Sequence, residues 1–324
     1  MNELGKLAAK LVEIDESGAG QRLDNFLLKH LKGAPKSLIY RIIRSGEVRI
    51  NKGRADAADR LNLGDLVRVP PIRLDVDPDA PKKAPAGAAR AAGEFPVLYE
   101  DDALLALNKP AGVAVHGGSG LKYGVIEALR ALRPQAKFLE LVHRLDRDTS
   151  GVLLLAKKRA ALVAMHELLR EGKTDKRYTV LVKGRWPHEA KHHVRAALHK
   201  FVTAGGERRV TATDDDDEDG QEAHTIFTLT KRYQVASLLE AQLKTGRTHQ
   251  IRVHLASSGY PILGDDKYGD FDLNKRLAKA GPKPGLKRMF LHAARISFAH
   301  PTSGERMRVE APLPEELTRY LESL

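Results

Sequence analysis

Apolar positions recur at helical spacing in two early stretches and at strand spacing in many later ones. Gln21 to His30 carries Leu23, Phe26 and Leu27 on one side, which predicts a helix. SLIYRIIRSG places Leu38, Ile39, Ile42 and Ile43 in one stripe, with Ser37 as the expected cap and Gly46 as the stop. Short strands are expected at Glu47 to Asn51 and Leu66 to Val69. Further on, VLYEDD and ALLALNKP read as a hairpin, GVIEALRALR as a helix and GVLLLAK (151–157) as a buried strand. Arg159 to Gly172 is a helix with Leu162, Met165 and Leu169 on one face. YTVLVKG and SLLEAQLKTG are strands, THQIRVHLASSG is a helix with Thr248 as the expected cap, and RISFAH pairs with RMRVEAP across PTSG. This order is neither a regular βαβ alternation nor all strand. It predicts an α+β fold around a mixed, largely antiparallel sheet.

The pattern breaks once. LDVDPDAPKKAPAGAARAAG, residues 74–93, is rich in Pro, Ala and Gly and reads as a linker. It separates a small unit (18–73) from a large one (94–324). TDDDDEDGQE, residues 213–222, reads as an acidic, solvated loop, with the acidic insert at 213–219.

The net charge of +12 and a pI near 9.7 favour a polyanionic partner: RNA, DNA or an anionic membrane. No apolar run approaches the roughly 18 residues needed to span a bilayer. No export signal is legible, so a cytoplasmic protein is expected. The chain has no cysteine, which excludes disulfides, a thiolate nucleophile and cysteine-type zinc sites.

The charge is uneven. Between residues 29 and 54 there are eight cations, among them Lys36, Arg41, Arg44, Arg49, Lys52 and Arg54, against the single carboxylate of Glu47. Phosphate contacts would neutralise such a cluster and position RNA without reading its sequence. QRLDNFL (21–27), KSLIYRIIRSGEVRINKGR (36–54) and LNLGDLVRVP (61–70) together resemble an S4 RNA-binding domain.

Two stretches of the large unit concentrate chemistry. LVHRLDRDTSGVLLLAK (141–157) sets His143, Arg144, Asp146, Arg147, Asp148, Thr149 and Ser150 in a polar loop ahead of an apolar strand. By itself this is also what a salt-bridged turn looks like. LEAQLKTGRTHQIRVHLASSGYPILGDDKYG (239–269) brings Arg247, His249, Arg252 and His254 to a strand–helix junction. A metal site of His249, His254 and Asp265 or Asp266 is disfavoured. Histidines five apart do not share a helical face, and two arginines would repel the ion.

HRLDRDTSG (143–151), KRYTVLVKG (176–184), GRTHQIRVH (246–254) with GYPILGD (259–265), and LHAARISF (291–298) occur in this order. The set resembles the RluA family of pseudouridine synthases, with the S4-like unit pointing to its large-subunit type. The resemblance implies isomerisation of uridines in 23S ribosomal RNA, without cofactor or metal, by a monomer. It makes Asp146 the catalytic carboxylate, as nucleophile or as base. It makes Arg247 the cation paired with Asp146, Tyr178 the ring stacked on the uracil and Ile296 an apolar wall. The target base must leave its stack, and Arg144 is the candidate to fill the gap.

Two rivals stand beside this reading. One is a non-catalytic RNA-binding protein of ribosome assembly, which would have no use for an Asp–Arg–Tyr set. The other is a metal-dependent hydrolase built on His249, His254 and the acidic run.

Overall fold

A computed structural model of the chain describes residues 9–324 other than 17, 32–33, 73–94, 118–123, 204–207, 214–218, 280 and 282–283. The linker assigned to 74–93 therefore lies outside the described residues, as does the acidic loop apart from its ends. The chain forms two compact units, Met1–Lys83 and Ala84–Leu324.

In the first unit, helices α1 (Leu23–His30) and α2 (Lys36–Arg44) pack on a four-stranded sheet. Its strands are β1 (Lys10–Glu13), β2 (Arg49–Ile50), β3 (Gly53–Arg54) and β4 (Leu66–Val69). Leu23, Leu27, Ile39, Ile42, Ile43, Val48 and Val67 form its core. Strand β1 pairs antiparallel with β4, so the unit reaches back before residue 18, where the sequence pattern starts it. Ser37 does not cap α2; it lies in the first turn of a helix whose cap position is Pro35. Gly46, at φ +75°, ends that helix as expected. Asn51 and Lys52 both have positive φ and close the two-residue β2–β3 hairpin.

The second unit is built on an eleven-stranded sheet. Its strands are β5 (Val97–Glu100), β6 (Leu104–Lys109), β7 (Glu140–Leu141), β8 (Ser150–Ala156), β9 (Asp175–Lys183), β10 (His192–Val202), β11 (Arg208–Thr213), β12 (Gln221–Arg232), β13 (Ala236–Leu243), β14 (Leu291–Ala299) and β15 (Arg306–Glu310). The order is β11-β10-β12-β13-β9-β14-β8-β6-β5, with β15 beside β14 and β7 beside β8. All pairings are antiparallel except β8 with β14. The expected α+β architecture is thus present, and both expected hairpins, β5–β6 and β14–β15, form.

Helices α3 (Val125–Leu132), α4 (Arg159–Arg170), α5 (Gln250–Ser257), α6 (Phe271–Ala278) and α7 (Glu315–Glu322) complete the unit. Two large apolar clusters fill it. One holds Leu105, Leu153, Val180, Trp186, Phe227 and Ile251; the other holds Leu154, Met165, Ile296 and Phe298. Strand β8 is buried along its whole length, which explains its unbroken apolar sequence. Its parallel contact with β14 requires Gly151: a Cβ there would sit 2.2 Å from the Ala293 carbonyl oxygen, and φ is +111°. No helix among the described residues is long and apolar enough to cross a membrane.

Candidate active site

The loop from Val142 to Thr149 leaves β7 and enters β8. Val142 and Leu145 are buried and pin it from below, so Arg144, Asp146 and Arg147 are turned outward. The Thr149 N–H donates to the Asp146 carbonyl at 3.2 Å and tightens the turn. Lys109, fully buried at the end of β6, donates from Nζ to the carbonyls of Pro110 (2.8 Å), Val113 (2.8 Å) and Arg147 (3.0 Å). It ties the backbone beside Asp146 to β6, and burial pushes its pKa down to about 7. Sequence reasoning missed this lysine; its place in LNKPAG gives no sign that its ammonium turns inward.

His143 accepts the Leu154 N–H at Nε2, 3.2 Å away. Burial, and then the Lys176 cation, hold its pKa down at about 4. His143 is therefore a neutral structural group at neutral pH.

Asp146 faces the start of α5. Arg252 Nη1 donates to Asp146 Oδ2 at 3.3 Å. Arg252 is itself clamped: Nε and Nη2 donate to the two carboxylate oxygens of Asp265 at 2.8 and 2.7 Å. Asp265 is 0% exposed and also accepts the N–H groups of Lys267 and Tyr268. Burial works against the Arg252 cation, but the hydrogen bonds and charge of Asp265, followed by those of Asp146, outweigh it and raise its pKa. The cation beside Asp146 is permanent and fixed in direction.

His249 is the second neighbour. It holds the left-handed conformation (φ 55°) before the first turn of α5, and its Nε2 is 3.9 Å from Asp146 Oδ1. Its Nδ1 lies 2.8 Å from the Tyr268 hydroxyl, which accepts the Val210 N–H at 3.0 Å. The hydroxyl proton is thus directed to Nδ1, which leaves the ring proton on Nε2, facing Asp146. Burial lowers the His249 pKa, and Asp146 partly opposes the shift.

The expected partner of Asp146, Arg247, is not the one found. Arg247 is exposed and its Nε donates to the Glu222 carbonyl at 3.1 Å. The helix begins at Gln250 and is not capped by Thr248, so Arg252 falls in its buried inward turn while Arg247 lies on the preceding loop. Gln250 shapes that loop: its Oε1 accepts the Arg247 N–H (2.9 Å) and the Thr245 hydroxyl (2.8 Å), and its Nε2 reaches the His224 carbonyl and the Thr225 hydroxyl oxygen.

Asp146 opens into a cleft of about 350 Å³ that Arg144, Lys176, Tyr178 and Arg247 also line. Tyr178 is nearly buried on β9. Burial, then the charge of Asp146, push its pKa up and keep the phenol protonated. The apolar wall comes from Leu145, Leu243, Ile251 and Leu291. Ile296, the expected wall residue, does not line the cleft; it packs with Phe298 and Val309, beyond the irregularity between His292 and Arg295 in the β14–β9 pairing. Arg144 is exposed on the cleft's rim.

The histidines weighed as metal ligands serve other partners. His249 meets Tyr268, His254 lies 3.0 Å from the Thr225 hydroxyl, and Asp265 is committed to Arg252. Among the described residues no group of three or more His, Asp or Glu side chains is placed to hold a metal ion.

In the first unit, Lys36, Arg41, Arg44, Arg49, Lys52 and Arg54 are all exposed. Arg44, Arg49 and Arg54 donate to backbone carbonyls, and none of the six is held by a carboxylate of the described residues.

Comparison with known proteins agrees with this geometry. Residues 103–257 match the family described as RNA pseudouridylate synthase, and residues 21–67 match the S4 domain. Ribosomal large subunit pseudouridine synthase C of Escherichia coli (strain K12) is 52% identical over 317 residues, spanning 98% of this chain and 97% of that one. The protein of the same description from Pasteurella multocida (strain Pm70) is 51% identical, spanning 98% and 94%. The solved structure of human RNA pseudouridylate synthase domain containing 4 superposes with a TM-score of 0.58 at 25% identity, over 72% of this chain and 94% of that one. A helix-borne arginine clamped against a loop aspartate, an antiparallel sheet beneath it and relatives of this closeness lead to one assignment: the chain belongs to the RNA pseudouridylate synthase family and is an RNA pseudouridine synthase, an isomerase, with an S4 domain at its N-terminal end.

Proposed function

We propose that the protein isomerises chosen uridines of large-subunit (23S) ribosomal RNA to pseudouridine, with Asp146 as the catalytic carboxylate. The observation that carries this reading is the position of Asp146. It is 22% exposed, at the floor of a cleft with Tyr178, and held by the Arg252 cation, with His249 Nε2 3.9 Å away. A carboxylate aimed by a fixed cation and reachable from the cleft suits attack on a sugar carbon or removal of a ribose proton.

The reaction breaks the C1′–N1 bond, turns the uracil and joins C1′ to C5, with loss of the C5 proton. Asp146 either bonds to the sugar or takes the C2′ proton to give a glycal. Tyr178 supplies a flat face for the base. The target nucleotide leaves its stack to enter the cleft, and the Arg144 side chain, exposed on the rim, fills the gap. The S4 unit, which takes in β1 ahead of residue 18 and is joined through a linker at 74–93 to the catalytic unit of 94–324, adds phosphate contacts through Lys36, Arg41, Arg44, Arg49, Lys52 and Arg54. Identity above 50% to proteins described as acting on the ribosomal large subunit supports the choice of RNA.

The test is a pseudouridine map. Unmodified 23S rRNA is incubated with wild-type protein or Asp146→Asn, treated with carbodiimide and read by primer extension. New stops at discrete uridines with wild type alone are expected. Stops with neither protein, or with both equally, contradict the reading.

A further inference from the structure

Lys176 stands apart from the other charged groups of the cleft. It lies on β9 two residues before Tyr178, so both side chains leave the same face of the strand, about 7 Å apart along it. Its neighbours across the two ladders are Leu243 on β13 and Ile296 on β14, both buried. Its Nζ is 3.3 Å from where a Cβ on Gly246 would sit, so the glycine leaves the space beside the ammonium open. Asp146 is taken by Arg252, and no carboxylate among the described residues holds Lys176. Burial lowers its pKa. A mostly buried lysine without a counter-ion is costly to the fold, and its ammonium faces a cleft.

We propose that Lys176 is a catalytic residue: its ammonium holds the negatively charged oxygens of the uracil after the glycosidic bond breaks. The proposal rests on the cleft being the uridine site. When C1′–N1 cleaves, the bonding pair leaves with N1, and the detached ring is an anion whose charge spreads to O2 and O4. The electron-poor sugar is satisfied by Asp146, through a bond to C1′ or through loss of the C2′ proton. C5 then attacks C1′; the Asp146 carboxylate is displaced from C1′ or, in the glycal route, returns its proton to C2′, and the C5 proton is lost to solvent water. Lys176 makes and breaks no bond. The charge it meets is absent from the bound uridine and appears only as the ring detaches, so its effect falls on the chemical step. A backbone phosphate is the weaker match for this ammonium, because exposed Arg144 and Arg247 already offer cations nearer solvent.

The test uses full-length protein and rRNA transcripts labelled with [5-³H]uridine, followed by single-turnover tritium release at saturating enzyme, RNA affinity and its salt dependence. Lys176→Met is expected to slow release about 100-fold, with RNA affinity and salt slope near wild type. Lys176→Arg should recover part of the rate. The Met variant should melt no lower than wild type, since it removes a buried charge; should it fail to fold, Lys176→Gln takes its place. Release by the substituted enzyme within threefold of wild type overturns the assignment. A loss confined to affinity, with a shallower salt slope, overturns it in favour of a phosphate contact. A wild-type protein that releases no tritium contradicts the functional reading and this proposal together.

Discussion

Arg252 meets Asp146 with one nitrogen, Nη1 at 3.3 Å, and commits its other two to Asp265 at 2.8 and 2.7 Å. The buried carboxylate of Asp265 aims the guanidinium, and the guanidinium aims the Asp146 carboxylate. Arg252→Ala strands Asp265 without its cation and should lower unfolding free energy by about 3–5 kcal/mol, measured by urea denaturation. Arg252→Lys keeps the charge but loses the fork, so it should retain more stability and still lose most activity. Arg247→Ala, at an exposed residue, should leave stability within about 0.5 kcal/mol of wild type. Equal destabilisation by the two alanine variants would contradict the arrangement.

Acid should loosen the catalytic unit before it reaches the carboxylate range. His143, His254 and His292 are each held by burial at a pKa of about 4. In the unfolded chain they take up protons near pH 6.5, so between pH 6.5 and about 4 the unfolded state binds more protons than the folded one. Stability therefore falls as pH drops through that window, by about 1.4 kcal/mol per pH unit for each histidine fully engaged. Denaturation midpoints across that range measure the slope. Replacing His292, which lies between the Ser150 hydroxyl and the Ala311 carbonyl, should flatten it.

Gly151→Ala tests how the Asp146 loop is seated. The added methyl meets the Ala293 carbonyl oxygen at 2.2 Å, at a backbone angle that alanine rarely adopts. The parallel contact of β8 with β14 must open, so a loss of more than about 3 kcal/mol is expected. A variant that melts within a few degrees of wild type would show that the loop is seated some other way.

Much of this fold is legible in the sequence because its strands and helices bury one face. The unbroken apolar run of β8 and the stripe of α2 give those elements away. Strands β10 to β12 are harder to see, since His193, Arg195, His224 and Lys231 interrupt any apolar alternation with charged or ionisable groups. Strand β1 is short and mostly exposed, and only its pairing with β4 defines it. In the site, Asp146 and Tyr178 are readable from their motifs. The choice between Arg247 and Arg252 is not, because it depends on α5 starting at Gln250, two residues later than Thr248 suggests. Lys109 and Gln250 act through backbone carbonyls and loop atoms, contacts that leave no periodic trace. Ile296 fits its motif, yet an irregular β14–β9 register accompanies its placement in the core away from the cleft.

The cations of the S4 unit should govern affinity rather than chemistry. Replacing Arg41, Arg49 and Lys52 together by alanine should weaken binding to 23S rRNA and reduce the slope of log K against log salt by about 2–3. Single-turnover release at saturating enzyme should stay near wild type. An unchanged slope would show that these side chains do not meet phosphate.

The central claim is that the Asp146 carboxylate does the chemistry, and tritium release from C5 of labelled 23S rRNA tests it most directly. Asp146→Asn keeps the shape and an acceptor for Arg252 but removes the charge. The variant should bind the RNA with near wild-type affinity and release no tritium above background, whereas the wild-type protein releases it in proportion to the uridines converted. Release by Asp146→Asn at the wild-type rate would contradict the account.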